Sequence, residues 1–199
     1  MRVRLLSLAA MGAAICLTAP APAQRVSDGY TFLKAIREGD GAKANALVTA
    51  PGSIVLTYKD PSTGEAAIHE VVKRRDVAWL NYLLGKGAKA DLQSRSGDTA
   101  FTLVAQMGWI GGAEILVAHR ANVNATDSRG QTPLILAVQG RDLPMVRFLL
   151  DAGADPRVSD RIAGYNALDY ARRDNRAEAI LRLLENPKPK QKDIVGPKF

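Results

Sequence analysis

The residue types that most often carry out catalysis are few in this sequence, and they stand far apart. The two histidines, His69 and His119, are 50 residues apart, and the single cysteine is Cys16. No group of histidines, cysteines or paired carboxylates has the spacing of a metal site. The sequence also contains no glycine-rich phosphate loop and no Gly-x-Ser-x-Gly motif. We therefore predict no catalytic residue, no metal site and no cofactor, and hence no enzyme.

Basic side chains are the other group that could act chemically. The chain has 27 lysines and arginines against 20 acidic residues, a formal charge of +7. Because basic and acidic residues are interspersed, the pattern is not that of a nucleic-acid-binding surface, and we expect no nucleic-acid partner. The densest basic run, at 73–75, is typical of a solvated face. It could pair with carboxylates of a partner only if the fold presents it outward.

The sequence repeats with a period of 33 residues, and this period determines where the basic side chains lie in the fold. The segment 132–155 aligns with segments that begin at Ala66 and Thr99, and with one that begins at Asn166 after a spacing of 34. A fixed period of this length is typical of a stack of small units rather than one globule.

The copy at 132–155 shows the repeated unit most clearly. Thr132 precedes a proline at a first helical position, and the apolar residues after it predict a short helix that ends near Gly140. After a two-residue break, Pro144 lies near the start of a second helix. The apolar face of this second helix is formed by Met145, Val146, Leu149 and Leu150. Gly153 can close the second helix in a left-handed conformation. Helices of about two turns are unstable alone, so stacked copies must cover their apolar faces.

The unit resembles the ankyrin repeat in its glycine turn, Thr-Pro-Leu, first-helix alanine, paired leucines and Gly-Ala-Asp. Only the copy at Thr132 has the complete Thr-Pro-Leu. The other copies keep Thr99, Ile68 with His69, Leu83 with Leu84, Gly87 with Ala88, and Leu183 with Leu184. The resemblance, to exported bacterial members of the family, covers nearly all of the chain after residue 27. It implies an all-α solenoid of stacked helix-turn-helix units with short β-hairpin loops.

We expect about five repeats, including degenerate terminal repeats that give the stack polar ends. The ankyrin repeat domain is predicted at 24–186, with repeats at 27–60, 61–93, 94–126, 127–160 and 161–186. The β-rich run Ile54–Tyr58 is predicted to form a longer hairpin arm.

The third repeat departs most from the family pattern. Gly111 and Gly112 each cost about 1 kcal/mol inside a helix. Arg120 replaces the closing glycine, where a left-handed residue with a Cβ costs about 1–2 kcal/mol. These departures predict a soft middle of the stack. Trp109 is predicted to be exposed in the loop between the two helices.

Two residues of the second repeat could be mistaken for ligand contacts. The resemblance implies that His69 hydrogen-bonds locally and fixes the turn of its repeat. Trp79 aligns with Met145, so it is predicted to pack in the core rather than to stack on a ligand.

The first 23 residues have a different composition from the rest. Two arginines precede the apolar run 5–17, and Ala-Pro-Ala follows. This order is typical of a secretory signal peptide cleaved after Ala23, which predicts a periplasmic or secreted protein. An uncleaved anchor is the alternative, although the run is shorter than the roughly 20 residues that span a bilayer. A lipoprotein signal at Cys16 is disfavoured by the bulky Ile15.

The resemblance implies that the stack binds a protein through its hairpin tips and the exposed sides of its first helices, which form a concave strip. The positions on this strip are Glu65, Lys73, Arg74, Arg95, Asp98, Gln106, Met107, Arg129, Gln131 and Gln139. Their basic excess predicts a partner with an acidic contact surface and salt-sensitive association, and Met107 would add adaptable apolar contact. Our main hypothesis is a monomeric, non-catalytic, periplasmic scaffold that binds another protein.

The segment 187–199 suggests an alternative. It has three prolines, four lysines and little apolar content, so a disordered basic tail is predicted. Together with the basic face, this tail could hold a peripheral envelope protein to anionic lipid or polymer. Deleting 187–199 would separate the two hypotheses, because membrane retention should fall only under the alternative.

Overall fold

The chain folds as a stack of helix pairs. A computed structural model describes residues 22–186, with side chains from residue 28 onward. Residues 1–21 of the predicted signal peptide 1–23 and the predicted tail from residue 187 lie outside the described residues. The helices are α1 Pro22–Glu38, α2 Gly41–Thr49, α3 Ala67–Lys73, α4 Val77–Gly85, α5 Ala100–Gln106, α6 Ile110–Ala118, α7 Pro133–Gln139, α8 Leu143–Asp151, α9 Ala167–Arg173 and α10 Glu178–Glu185.

The helices are arranged in two layers. In the first layer α1, α3, α5, α7 and α9 pack side by side, and in the second layer α4, α6, α8 and α10 do the same. Each second-layer helix also packs against the first-layer helix that precedes it in the chain. The core lies between the layers along the whole stack, and its fully buried members include Phe32, Leu80, Phe101, Leu116, Leu134, Met145 and Leu149. The predicted all-α solenoid is confirmed.

Side-chain caps fix where most of these short helices begin. Thr99, Thr132 and Asn166 accept hydrogen bonds from the first backbone N–H groups of α5, α7 and α9. Asp40, Asp76 and Asp142 do the same for α2, α4 and α8. Each such cap stabilises a helix by about 0.5–2 kcal/mol. A helix that slipped by one residue would lose its cap.

His69 is a structural residue, as predicted. It is fully buried, and its Nδ1 accepts a hydrogen bond from the backbone N–H of Ala66 at 3.0 Å. Its Nε2 lies 2.9 Å from the carbonyl oxygen of Leu92 and 3.0 Å from that of Asp98. The imidazole therefore joins the start of α3 to the next turn. Trp79 is half-buried and packs against the core, as predicted.

The predicted hairpin arm at Ile54–Tyr58 is wrong, and no strand occurs between residues 22 and 186. Val55–Thr57 form one turn of 3₁₀-helix that packs on α1, with Val55 buried. The ring of Tyr58 lies against Gly29, where a Cβ would come within 2.3 Å of it. β-branched and aromatic side chains favour a strand when another strand faces them. Here the apolar partner is a helix, so the run curls onto it.

The prediction that Trp109 is exposed is also wrong. Trp109 is half-buried at the start of α6, and its ring covers Gly112, where a Cβ would lie 2.3 Å from a ring atom. Glycine at 112 therefore makes room for the indole. Arg120 does have the predicted left-handed conformation, with φ of 59°. Whether the middle of the stack is soft stays a prediction.

Candidate protein-binding surface

One polar side chain shapes each turn that precedes α3, α5, α7 and α9. Asp127 Oδ1 accepts hydrogen bonds from the backbone N–H groups of Arg129 and Gln131 at 2.9 and 2.8 Å. The corresponding acceptors in the other turns are Asp60, Ser94 and Asp160. This role was not predicted from the sequence, although the recurrence of aspartate or serine at a spacing of 33 or 34 could have indicated it.

Successive turns are joined to each other by the backbone. Arg95 N donates to Thr63 O at 2.9 Å, and Arg161 N donates to Arg129 O at 2.8 Å. The approach is close: a Cβ on Gly97 would lie 2.2 Å from the backbone nitrogen of the next turn, and Gly97 has φ of 82°. The turns are thus held in place before any partner arrives, which lowers the entropic cost of binding.

These turns and the exposed sides of α3, α5, α7 and α9 form one surface, which we call the first-helix surface. Equivalent positions on it carry different residues in successive copies. The position at the end of the turn is Glu65, Asp98, Gln131 and Tyr165. Two positions on the helices read Glu70, Leu103, Leu136 and Tyr170, and Lys73, Gln106, Gln139 and Arg173. All three residues are charged in the second copy, whereas the fifth copy has two tyrosines and Arg173. The equivalents of Glu70 and Tyr170 in the third and fourth copies, Leu103 and Leu136, are buried.

The four predicted cations of the strip are exposed, but each already has a partner within the stack. Lys73 forms an ion pair with Glu65, and Arg74 donates to the carbonyl oxygen of Ile36. Arg95 donates from Nη2 to the carbonyl oxygen of Pro61 at 2.7 Å. Arg129 Nε lies 3.4 Å from Asp127 Oδ2. Arg74 and Arg95 therefore also join neighbouring copies, whereas Lys73 and Arg129 pair within their own copy. Their spacing in the sequence did not indicate these partners.

The other predicted positions differ in their exposure. Gln106 and Gln139 are exposed, whereas Glu65, Asp98 and Met107 are half-buried. Gln131 is only 6% exposed, so the expectation that its side chain lies open on the strip is wrong. Its backbone is held by Asp127, and its side-chain amide lies against the hydroxyl of Tyr170.

Sequence analysis missed three residues that meet in the fifth copy: Tyr165, Tyr170 and Arg173. We call them the aromatic cluster. The Arg173 guanidinium lies 4.6 Å from the centre of the Tyr165 ring and donates to the Tyr165 hydroxyl at 2.8 Å. The two tyrosine rings meet edge to face with 5.7 Å between their centres. Ile162, at the tip of the adjoining turn, is 78% exposed. A shift of 34 residues from Gln131, the last predicted turn-end position, would have found Tyr165.

The hydroxyl of Tyr170 is oriented by Asp160. Tyr170 donates a hydrogen bond to Asp160 Oδ2, and this bond raises the pKa of Tyr170. The same bond, with those from the loop N–H groups of residues 162–164, lowers the pKa of the Asp160 carboxyl. At neutral pH the pair is therefore a tyrosine donor on a carboxylate acceptor, which fixes the ring rather than preparing a proton transfer.

Two other features, a metal centre and a membrane-spanning helix, are absent from the residues that the structure describes. Between residues 22 and 186, no three histidine, cysteine, aspartate or glutamate side chains are grouped so that they could hold a metal ion. None of the described helices combines the length and the apolar character needed to cross a membrane.

Comparisons with known proteins agree with this geometry. Residues 68–160 match the family described as Ankyrin repeats (3 copies). A putative ankyrin repeat-containing protein of Treponema pallidum (strain Nichols) is 30% identical over 144 residues, which are 71% of this chain and 46% of that protein. A putative ankyrin repeat protein of Rickettsia felis (strain ATCC VR-1525 / URRWXCal2) is 32% identical over 80 residues, 40% of this chain and 20% of that protein. The Neurogenic locus notch homolog protein 1 of Xenopus laevis is 33% identical over 151 residues, 75% of this chain and 6% of that protein.

The chain spans less than half the length of these relatives. Ankyrin repeats serve as scaffolds for protein–protein interaction, and the family is generally non-catalytic.

Proposed function

Because this chain is an ankyrin-repeat protein, we propose that it is a non-catalytic scaffold of the periplasm or cell exterior that binds one partner protein across its first-helix surface. The proposed location rests on the order of residues in the first 23 positions, which is typical of a secretory signal peptide. The proposed activity rests on the first-helix surface itself.

One observation carries the proposal: the aromatic cluster beside the exposed Ile162. Tyrosine and arginine are enriched among the residues that dominate binding energies at protein interfaces. In the cluster the tyrosine rings and Arg173 already hold each other in place, so little side-chain entropy is lost on binding. Ile162 is a large apolar side chain at a turn tip, where the fold makes no use of it. We therefore infer that the fifth copy anchors the partner.

The predicted cations form the second part of the proposed interface. Arg95 and Arg129 are exposed on the turns although they also bind within the stack. Exposed charges of this kind mainly speed association with an oppositely charged surface and make it sensitive to salt. The proposed partner accordingly presents an acidic surface, with an apolar or aromatic contact where it meets the aromatic cluster.

The test begins with affinity capture from a periplasmic extract at low and high salt, with the full chain as bait. The affinity of the captured protein is then measured for a variant with Tyr165→Ala and Arg173→Ala. We expect a loss of at least about 10-fold, which corresponds to about 1.4 kcal/mol at 25 °C. Arg129→Glu should cost less and should act mainly on the association rate.

The matched control carries Tyr30→Ala and Arg182→Ala, which remove the same residue types from exposed positions on α1 and α10. Equal affinities for the two double variants would contradict the proposed anchor. If the chain instead sediments with anionic vesicles, and loses this on deletion of 187–199, the peripheral envelope protein becomes the better account.

A further inference from the structure

A basic cleft opens between the second and third copies, away from the residues that form the first-helix surface. It lies between the loop after α4 and the loop after α6 and has a volume of about 350 Å³. Its lining residues are Leu84, the segment 88–92, and His119, Arg120 and Ala121. We propose that this cleft binds a phosphate monoester through Lys89, His119 and Arg120.

The three basic residues occupy positions that the repeat does not require to be basic. Lys89 stands where the next two copies have Asn122 and Asp155. At the His119 position the second and fourth copies have Lys86 and Ala152, and at the Arg120 position they have Gly87 and Gly153. Lys89 and Arg120, which replace uncharged or acidic residues of the other copies, thus coincide at one cleft, although they come from two different copies.

Arg120 is the most informative of the three. Its backbone is left-handed, with φ of 59°, where Gly87 and Gly153 have φ of 89° and 94°. Its backbone N–H donates to Val117 O at 2.9 Å, as Gly87 N does to Leu84 O at 3.0 Å. Glycine would make the same hydrogen bond without the strain that a Cβ brings to this conformation.

Arg75 and Arg141 share this conformation, with φ of 54° and 55°, and their side chains bind Met107 O and Asp174 Oδ2. Arg120 has no such partner within residues 28–186, so its side chain is the part that needs an explanation.

No partner within the stack neutralises these side chains. Arg37, Lys73 and Arg141 form ion pairs with carboxylates, whereas Lys89, His119 and Arg120 have neither an ion pair nor a side-chain hydrogen bond within residues 28–186. Three of the last four carbonyl groups of α6 already accept backbone N–H groups: Ile115 O from His119, Leu116 O from Ala121 and Val117 O from Arg120. These carbonyls therefore do not need the basic side chains as partners.

The cleft has one acidic residue of its own, Asp91. Asp91 Oδ1 accepts a hydrogen bond from the backbone N–H of Asn122 at 3.1 Å, which holds it in the stack. Lys89 and Arg120 outnumber it, so the cleft keeps a positive charge even with His119 neutral. A site with a net positive charge favours an anion over a cation.

The lining chemistry points to a phosphate ester rather than to a bare ion. Guanidinium and ammonium groups together suit phosphate oxygens, because they supply several charge-assisted N–H donors. Leu84, Ala88 and Leu92 also line the cleft, and they are more buried than the three exposed basic residues, so we take them as its apolar floor. A phosphate on a small organic carrier would place its charge at the basic rim and its carrier on this floor.

The experiment is an NMR titration of the full chain with glycerol 3-phosphate, and separately co-sedimentation with phosphatidylcholine vesicles that contain phosphatidate. Glycerol 3-phosphate should shift the resonances of His119 and Arg120 saturably. Arg120→Gly and Lys89→Asn, which install the residues of other copies, should each weaken binding by at least about 10-fold. Arg120→Gly should also raise the unfolding midpoint, so lost binding could not be ascribed to unfolding.

The control is Arg157→Gln, which removes an equally charged and highly exposed side chain in the fourth repeat and should leave binding unchanged. A response to the soluble ester alone would identify a free phosphate ester as the ligand. Vesicle binding that Arg120→Gly abolishes would identify a lipid headgroup. The proposal is overturned if neither probe binds, or if Arg120→Gly and Lys89→Asn bind as tightly as the parent chain. Tyr165→Ala should have no effect, so this result is independent of the proposed scaffold function.

Discussion

The turns that lead into the second and fifth copies, before α3 and α9, begin at the boundary with the preceding copy and are built with the same residue, which they use in different ways. Asp60 and Asp160 each accept backbone N–H groups of the turn through Oδ1. In the second copy, Asp60 Oδ2 lies 3.1 Å from Nη1 of Arg37, which comes from the preceding copy. In the fifth copy, Asp160 Oδ2 accepts the hydroxyl of Tyr170, which belongs to the same copy.

The equivalent carboxylate oxygen thus serves a contact between copies in the second copy and the proposed contact with a partner in the fifth. Arg37 also donates to Glu70 at 2.6 Å, so the second copy uses its surface charges to bind the first copy. The fifth copy uses the equivalent oxygen to orient an aromatic ring on the first-helix surface. In both copies Oδ1 of the turn carboxylate accepts the backbone N–H groups of the turn. Its Oδ2 is available either to bind the preceding copy or to orient a ring on the surface. Contacts between copies and contacts with a partner can therefore differ from copy to copy while the turn itself stays the same.

The largest effect is expected when the turn itself is broken. Asp160→Ala removes a side chain that is 4% exposed and leaves three loop N–H groups and the Tyr170 hydroxyl without their acceptor. Because unsatisfied groups each cost about 1–3 kcal/mol when they stay buried, we expect the free energy of unfolding to fall by about 2–3 kcal/mol. Urea unfolding followed by circular dichroism measures this loss.

Asp151→Ala is the control for Asp160→Ala, because Asp151 is exposed at the end of α8. We expect a change within about 0.5 kcal/mol for this control. Equal effects of the two variants would show that the turn is not held by its carboxylate.

A smaller effect is expected when the second copy is uncoupled from the first. Arg37→Gln removes the charge that bridges Asp60 and Glu70, both of which are mostly buried. Because Arg37 itself is 38% exposed, water screens part of the interaction, and we expect a loss of about 1–2 kcal/mol. Lys34→Gln is the control on the same helix, since the Lys34–Glu38 pair is 3.8 Å apart and exposed. A loss for Lys34→Gln as large as for Arg37→Gln would argue against the bridge.

The period and the cap residues were sufficient to predict the architecture. Thr132 with its proline and Gly153 mark the ends of helices in the sequence as they do in the structure. The local failures have local causes. Val55 was assigned to a strand by its side-chain type, but burial against α1 decided its conformation. The loop position of Trp109 predicts that it is exposed, but its indole packs over Gly112 because glycine has no side chain there.

The surface was harder to predict than the fold. The positions of Arg74 and Arg95 followed from the period, but their partners are carbonyl oxygens of Ile36 and Pro61. Every residue has a carbonyl group, so the sequence does not indicate which one an arginine will reach. Tyr165 could have been found, because it lies 34 residues after Gln131 and the last copy is shifted by one residue.

The smallest expected effect is a difference between the second and fifth copies in how their stability depends on pH. The pKa values of Asp60 and Asp160 are lowered in the folded chain, so both contribute stability that is present above the ordinary carboxyl pKa of about 4 and lost as the pH falls below it. The pKa of Tyr170 is raised, so its contribution is present below the ordinary tyrosine pKa of about 10 and lost as the pH rises past it. The Asp160–Tyr170 pair of the fifth copy therefore loses stability at both extremes, whereas Asp60 loses its contribution in acid.

Tyr170→Phe tests this directly, because it removes the hydroxyl and keeps the ring. At pH 7 we expect a loss of about 1 kcal/mol relative to the parent chain, and this difference should shrink as the pH rises above about 10, where the parent loses the same contribution. Tyr30→Phe, at a tyrosine that is 58% exposed, should show no difference at either pH. If the difference for Tyr170→Phe stays constant from pH 7 to pH 11, the hydroxyl does not stabilise the turn through Asp160, and the fifth copy orients its aromatic cluster by packing alone.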